Sequence, residues 1–185
     1  MNNMITQNNN KLSIRRTKVI KYNKETQLEI DARPILLLDV SGSMAQIVNE
    51  KRKIDILRET VINFIGVRMF VFSTYTTETK YIPEPQESTD LTNAFRYLKS
   101  YINKDTNLVL VSDGEPNDSE SALNEAKSLG IPVNVVYIGN LGSSGEDFMK
   151  RLARLTNGKE ITAETFNKAF QQQLTDGIQG LLYGA

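Results

Sequence analysis

The chain of 185 residues is long enough to bury one substantial core, and its composition, 39% hydrophobic and 24% charged, is typical of a soluble globular domain. It contains neither cysteine nor histidine, which excludes disulfides, thiol nucleophiles, Ser-His-Asp triads and the usual zinc ligands. Any chemistry must therefore come from carboxylates, hydroxyls, amides, basic side chains and the backbone. The 22 basic and 22 acidic residues cancel to a formal net charge of zero.

The charge is distributed unevenly along the chain. Residues 1–24 contain six basic and no acidic residues, which leaves 16 basic and 22 acidic residues, a net charge of −6, on the rest. Such a basic arm could bind nucleic acid or an acidic partner. Because it lacks an interleaved aromatic pattern for base stacking, we favour a charged edge strand that resists misplaced pairing. Nucleic-acid binding is the less favoured alternative.

The distribution of apolar residues and the lack of cysteine predict where the protein is located. No part of the sequence approaches the roughly 18 consecutive apolar residues of a membrane span, and residues 1–10 lack the apolar stretch of a secretory signal. Together with the absence of cysteine, this predicts a cytoplasmic protein with no membrane partner. Residues 1–33 are predicted to form an N-terminal extension, disordered at its start and then a basic hairpin or edge strands. Residues 34–185 are predicted to form one domain.

From residue 35 onward, short apolar segments alternate with segments of helical periodicity. The predicted buried strands are residues 35–38, 67–72, 108–111 and 133–138, with a polar edge strand at 76–82. Amphipathic helices are predicted from Ile54 to Ile65 and from Leu91 to Ile102, then with starts at Asn117 and Ser143, and last from Phe166 to Leu182. This alternation predicts an α/β fold: a Rossmann-like doubly wound sheet, mostly parallel with one antiparallel edge strand, and helices on both faces.

Oxygen-bearing side chains follow the carboxyl ends of the predicted strands. Asp39, Ser41 and Ser43 follow the first strand, Asp113 follows strand 108–111, and Thr89 lies in the loop before a predicted helix. Ligands of open parallel sheets bind beyond the carboxyl ends of the strands, so these side chains are predicted to converge. Carboxylate and hydroxyl oxygens suit a small hard cation such as Mg²⁺. Two carboxylates alone would leave such an ion open to a further anionic oxygen.

Each of these residues also has a structural interpretation. Asp39, Ser41 and Ser43 could form a turn and helix cap, Thr89 could cap the next helix, and Asp113 could form a turn. A phosphate-binding loop is disfavoured because no glycine-rich Gly-Lys-Ser/Thr segment is present. An aspartate after the first parallel strand can also act as a phosphohydrolase nucleophile. The residue two positions on is Ser41, however, and nothing basic is evident to activate it.

The combination resembles the von Willebrand factor type A (VWA) domain with a metal-ion-dependent adhesion site (MIDAS). The matching segments are Asp39-Val40-Ser41-Gly42-Ser43, Thr89 in its loop and Ser112-Asp113-Gly114, and the resemblance covers roughly residues 34–184. It implies that the metal ligands are Asp39, Ser41, Ser43, Thr89 and Asp113, holding Mg²⁺, with Mn²⁺ or Ca²⁺ as alternatives.

The same resemblance implies a function. A VWA domain of this kind would be a non-enzymatic protein-interaction module, in which the metal binds an Asp or Glu of a protein partner. Two alternatives remain open at this point: a Mg²⁺-dependent phosphohydrolase that uses Asp39, and a structural subunit of a larger assembly.

Overall fold

A computed structural model describes residues 33–48, 50–62, 64, 66–86, 88–162 and 168–183. The strands are β1 (Ile35–Asp39), β2 (Ile47–Val48), β3 (Lys51–Arg52), β4 (Arg68–Phe72), β5 (Thr76–Thr79), β6 (Leu108–Ser112), β7 (Val133–Tyr137) and β8 (Glu160–Thr162). The helices are α1 (Lys53–Val61), α2 (Leu91–Leu98), α3 (Ser119–Ser128), α4 (Ser144–Thr156) and α5 (Lys168–Tyr183), with a 3₁₀ turn at Gly42–Ala45.

Six of the strands form one sheet, in the order β5-β4-β1-β6-β7-β8, and β2 pairs with β3 in a small hairpin. β1 lies between β4 and β6 and is parallel to both, with Leu37 opposite Phe70 on one side and Leu110 on the other. β5 is antiparallel at the edge. The chain passes from β1 to β4 and then crosses to β6, so the strand order reverses between β1 and β6. The predicted Rossmann-like doubly wound sheet is confirmed.

Helices cover both faces of this sheet. Alternate side chains of a strand point to opposite faces, and β1 divides in this way between two hydrophobic clusters. Ile35 and Leu37 pack with residues of α2, α3 and α4, whereas Leu36 and Leu38 pack with residues of α1 and α5. Because both faces are covered, the central strands are apolar along their length.

The end of α5 is attached to the sheet by a side chain. The Asn107 amide, just before β6, donates hydrogen bonds to the carbonyl oxygens of Leu181 and Leu182. Carbonyls in the last turn of a helix lack partners within the helix, so this contact satisfies two of them. The buried side chains of Ile178, Leu181 and Leu182 complete the attachment.

Two helices are shorter than their apolar periodicity predicts. α1 ends at Val61, and the backbone N–H of Phe64 donates to the Val61 carbonyl at 3.1 Å, closing a tight turn. Phe64 still packs against the α1 side of the core, and Ile102 is buried although α2 ends at Leu98. Periodicity therefore identified which side chains are buried but not where the helical hydrogen bonds stop.

The helix caps agree with the sequence at α4 and differ at α3. Ser143 caps α4, accepting from the Glu146 N–H, and Asn157 ends α4 in the left-handed conformation. The cap of α3 is Asp118, whose carboxylate accepts from the Ser121 N–H at 3.0 Å, so the prediction of Asn117 was wrong by one residue. Asn117 instead contacts the Thr89 loop.

Several predictions lie outside the described residues. Phe166, the predicted start of the last helix, is one of them, and so is almost all of the predicted extension 1–33. In the part of the chain that the structure describes, no helix combines the length and apolar character needed to cross a membrane.

Candidate metal centre

The predicted site residues lie at the point where the strand order reverses. Asp39 is the last residue of β1, and Asp113 directly follows β6, its parallel neighbour. Adjacent parallel strands present their carboxyl ends at the same edge, and the reversal leaves a crevice between the loops that follow them. The topology therefore brings Asp39 and Asp113 together, although 74 positions separate them in the sequence.

Asp39 is wholly buried and accepts two hydrogen bonds from the protein. Its Oδ1 accepts from the Ser41 N–H at 2.8 Å, and its Oδ2 accepts from the Ser112 hydroxyl at 2.6 Å. Burial and, second, the nearby Asp113 carboxylate raise the pKa of Asp39 to about 6, although its hydrogen bonds favour the charged form. A cation placed beside Asp39 would relieve this unfavourable environment.

The serine hydroxyls are held next to each other by a short turn. Ser41 is buried, and its Oγ lies 3.0 Å from the Oγ of Ser43 in the 3₁₀ turn. Met44 in the same turn is fully buried and anchors the loop to the α1 side of the core. The turn thus presents two hydroxyl oxygens directly after the Asp39 carboxylate.

Asp113 has one satisfied and one unsatisfied carboxylate oxygen. Its Oδ2 accepts from the Lys53 ammonium at 2.8 Å, and both side chains are buried, with 1% and 6% of their surface exposed. Its Oδ1 is buried and has no hydrogen-bond partner among the described residues. A buried carboxylate oxygen without a partner is costly. This atom therefore marks a position where a cation or a hydrogen-bond donor would be stabilising.

The Thr89 loop is tied to both of the other loops. The Thr89 N–H donates to the Asn117 Oδ1 at 3.3 Å, and the Asn117 N–H donates to the Thr89 carbonyl at 3.0 Å. Near the start of this loop, the Gln86 N–H donates to the Val40 carbonyl at 2.7 Å. Thr89 itself is 8% exposed. The structure therefore places the backbone of Thr89 against the segment that follows Asp113, at the same edge as Asp39.

The Asp113 loop also packs closely on the start of α4. Gly114 has a φ of +72°, and a Cβ built on it would lie 2.1 Å from the Gly145 carbonyl oxygen. A Cβ on Gly145 would lie equally close to the Asp113 carbonyl oxygen. Only glycine fits both positions, so this backbone contact fixes the position of Asp113.

Three residues that contact the predicted ligands or their partners were not predicted to take part in the site: Ser112, Lys53 and Gln46. Ser112 could have been found from strand register, because β1 and β6 are parallel neighbours and their ends lie side by side. The Lys53 ammonium donates a hydrogen bond to Gln46 Oε1 at 2.8 Å. No pattern pointed to Lys53, since it follows Lys51 and Arg52, and three consecutive basic residues suggest a solvated surface.

The donor set fits a small hard cation. The candidate ligands are two carboxylates and several hydroxyls, and the described residues contain no group of three or more acidic, histidine or cysteine side chains that could hold a metal ion. A bound ion would therefore depend on hydroxyl oxygens and water as well as on the carboxylates. Mg²⁺ accepts this mixture, because it binds one or two carboxylates and keeps several waters.

Comparison with known proteins supports the fold. No family model matches the sequence, and no curated protein matches it. Among solved structures, a conserved hypothetical protein BatB from Bacteroides thetaiotaomicron is similar, with a TM-score of 0.54 and 15% identity over 82% of this chain and 98% of that one. A von Willebrand factor type A protein from Catenulispora acidiphila has a TM-score of 0.60 and 9% identity over 82% of this chain and 43% of that one.

At these identities the likeness concerns the fold alone. The six-stranded sheet, its antiparallel edge strand and the surrounding helices correspond to the Rossmann-like fold of VWA domains. The likeness does not extend to the candidate site residues.

Proposed function

We propose that this chain is a protein-interaction module that binds a divalent cation, Mg²⁺ first, through Asp39, Ser41, Ser43, Thr89 and Asp113. The metal would complete its shell with a carboxylate from an Asp or Glu of a protein partner. The observation that carries the proposal is the buried Oδ1 of Asp113, which has no partner among the described residues and lies near a second buried carboxylate, that of Asp39. A cation is the ligand that satisfies both groups at once.

Each residue has a separate part in this proposal. Asp39 and Asp113 supply negative charge, directly or through ordered water, and the Ser41, Ser43 and Thr89 hydroxyls supply neutral oxygens. Ser112 holds Asp39 in place through its 2.6 Å hydrogen bond. The bound ion would supply Lewis acidity toward the partner's carboxylate.

Metal binding is tested by titrating the protein with Mg²⁺ in a calorimeter. Asp39→Ala is expected to abolish binding or weaken it at least tenfold, because it removes a buried anionic group from the site. Asp105→Ala is the matched control: Asp105 is an exposed aspartate just before β6, at the opposite edge of the sheet, and its loss should leave Mg²⁺ affinity unchanged. Equal affinities for Asp39→Ala and the wild type would refute the site.

Partner binding is tested by affinity capture on the immobilised protein, with Mg²⁺ or with EDTA. We expect a protein that is retained with Mg²⁺, released by EDTA and not retained by Asp39→Ala.

A phosphohydrolase would instead turn over aryl phosphates with Mg²⁺. We expect no metal-dependent turnover, because the two hydrogen bonds to Asp39 hold its carboxylate in place, and the residue two positions on is the hydroxyl Ser41 rather than an acid/base carboxylate.

A further inference from the structure

Lys53 differs from the two basic residues that precede it. Lys51 pairs with Glu59 and Arg52 pairs with Asp55 and Glu84, and all of these side chains are substantially exposed. Lys53, the first residue of α1, points inward instead, and its side chain is 6% exposed. The Lys53 ammonium is therefore a positive charge that the domain itself places at the candidate metal site.

The Lys53 ammonium is held by two oxygens. It donates to Asp113 Oδ2 and to Gln46 Oε1, each at 2.8 Å. Burying an ion pair of this kind is a weak source of stability, because the loss of hydration offsets most of the attraction between the charges. Its main consequence is electrostatic: half of the negative charge of the two carboxylates is compensated before any metal binds.

We propose that Lys53 is a positioning residue that sets the charge of the metal centre, lowering its affinity for the divalent cation while strengthening the attraction of the bound cation for a carboxylate ligand. This inference rests on the proposed function. Asp39, Asp113 and Lys53 sum to −1, so a divalent ion leaves the centre at +1. Without Lys53 the same ion would leave the centre neutral, and a partner's carboxylate would gain little from binding there.

The pairing also fixes which oxygen of Asp113 remains available. With Oδ2 taken by Lys53, Oδ1 is the atom without a donor among the described residues. Lys53 therefore holds the Asp113 carboxylate in one orientation as well as compensating its charge. A lysine that only filled space would do neither.

The first experiment titrates Mn²⁺ into the wild type, Lys53→Gln and the matched control Lys51→Gln by calorimetry. Lys53→Gln should bind Mn²⁺ about tenfold more tightly, because two carboxylates are left without a competing cation. Lys51→Gln removes the same charge from an exposed ion pair two residues away and should stay within about twofold of the wild type. Unchanged or weaker binding by Lys53→Gln overturns the proposal.

The second experiment measures a carboxylate ligand directly. Acetate is added to each Mn²⁺-loaded protein, and displacement of metal-bound water is followed by water-proton relaxation. Acetate should bind Lys53→Gln several-fold more weakly than the wild type, and Lys53→Arg, which keeps the charge, should remain close to the wild type. A merely structural role for Lys53 would lower thermal stability and leave the acetate affinity of the loaded protein unaltered.

These measurements separate the two proposals. If the wild type binds Mn²⁺ and Asp39→Ala does not, while Lys53→Gln matches the wild type with both probes, the proposed function stands and the role of Lys53 is refuted. If no protein binds Mn²⁺, both fail. Removing one partner of a buried ion pair is destabilising, so if Lys53→Gln does not fold without metal, it is refolded in excess Mn²⁺. Its affinity is then measured by competition with EDTA, with the same expected results.

Discussion

At the scale of single residues, we expect Asp39 to make the protein without bound metal less stable at neutral pH. Its pKa is raised from 3.8 to about 6, mainly by burial and then by Asp113. Between these two values the folded protein binds more protons than the unfolded chain, so stability falls as pH rises through this range. The contribution of Asp39 to stability is therefore fully present below pH 4 and lost above about pH 6.

Asp39→Asn removes this titration while keeping the shape of the side chain. In EDTA, we expect the free energy of unfolding of the wild type to fall by an amount of order 2–3 kcal/mol between pH 4 and pH 7 through this group. In Asp39→Asn the free energy of unfolding should change less between pH 4 and pH 7, and at pH 7 it should be higher than that of the wild type. Urea unfolding at a series of pH values measures both.

The control is Asp105→Asn, which changes an exposed aspartate and should leave the pH profile parallel to that of the wild type. Saturating Mg²⁺ should restore the wild-type stability at pH 7 and have no such effect on Asp39→Asn. Parallel profiles for the wild type and Asp39→Asn would show that the carboxylate is not held in a destabilising environment.

At the scale of elements, the sequence predicted what is buried better than what is hydrogen-bonded. The four apolar strands were found because two-sided burial demands continuous apolar residues, and the polar edge strand was found at 76–82, where the structure has β5 at Thr76–Thr79. β8 was missed because Glu160, Ile161 and Thr162 form a three-residue strand with little apolar character. The β2–β3 hairpin has two residues on each side, too few for any periodicity.

The candidate site was also predictable only in part. Asp39 and Asp113 could be placed at one edge because fold class and strand ends determine that edge. The inward direction of Lys53 could not be predicted, because it depends on how α1 is oriented over the sheet and on the presence of a buried carboxylate 60 residues away. Local pattern carries no information on either.

The contact between the Asp113 loop and α4 gives a prediction at this scale. Gly114→Ala introduces a Cβ 2.1 Å from a backbone oxygen in addition to the strain of a positive φ. We expect it to destabilise the fold by about 2–4 kcal/mol and to weaken Mg²⁺ binding, since Asp113 must move with its loop. Urea unfolding and calorimetry measure the two effects.

Gly130→Ala is the matched control. Gly130 has nearly the same φ, +70°, but a Cβ there would meet nothing within 4 Å. We expect a cost of only about 1–2 kcal/mol from backbone strain and no change in Mg²⁺ affinity, because Gly130 lies at the far end of α3. If the two variants lost equal stability and both kept their affinity, the close contact would not be what positions Asp113.

At the scale of the whole molecule, the uneven charge distribution gives the last prediction. Among the described residues, the six sheet strands lie between Ile35 and Thr162, and both core clusters draw their helices from residues up to Leu182. We therefore expect a chain lacking residues 1–24 to fold, with its thermal midpoint within a few degrees of the full-length value. Its net charge changes from zero to −6.

The same deletion separates local from long-range electrostatics at the metal centre. At physiological ionic strength, exposed charges are screened over about 8 Å, so loss of the basic arm should change Mg²⁺ affinity by less than about twofold. Lys53→Gln, which removes one buried charge in contact with Asp113, should have the larger effect. Calorimetry on the deleted and full-length chains measures this difference. A large change in affinity, or loss of cooperative unfolding, would show that residues 1–24 belong to the domain rather than to an extension of it.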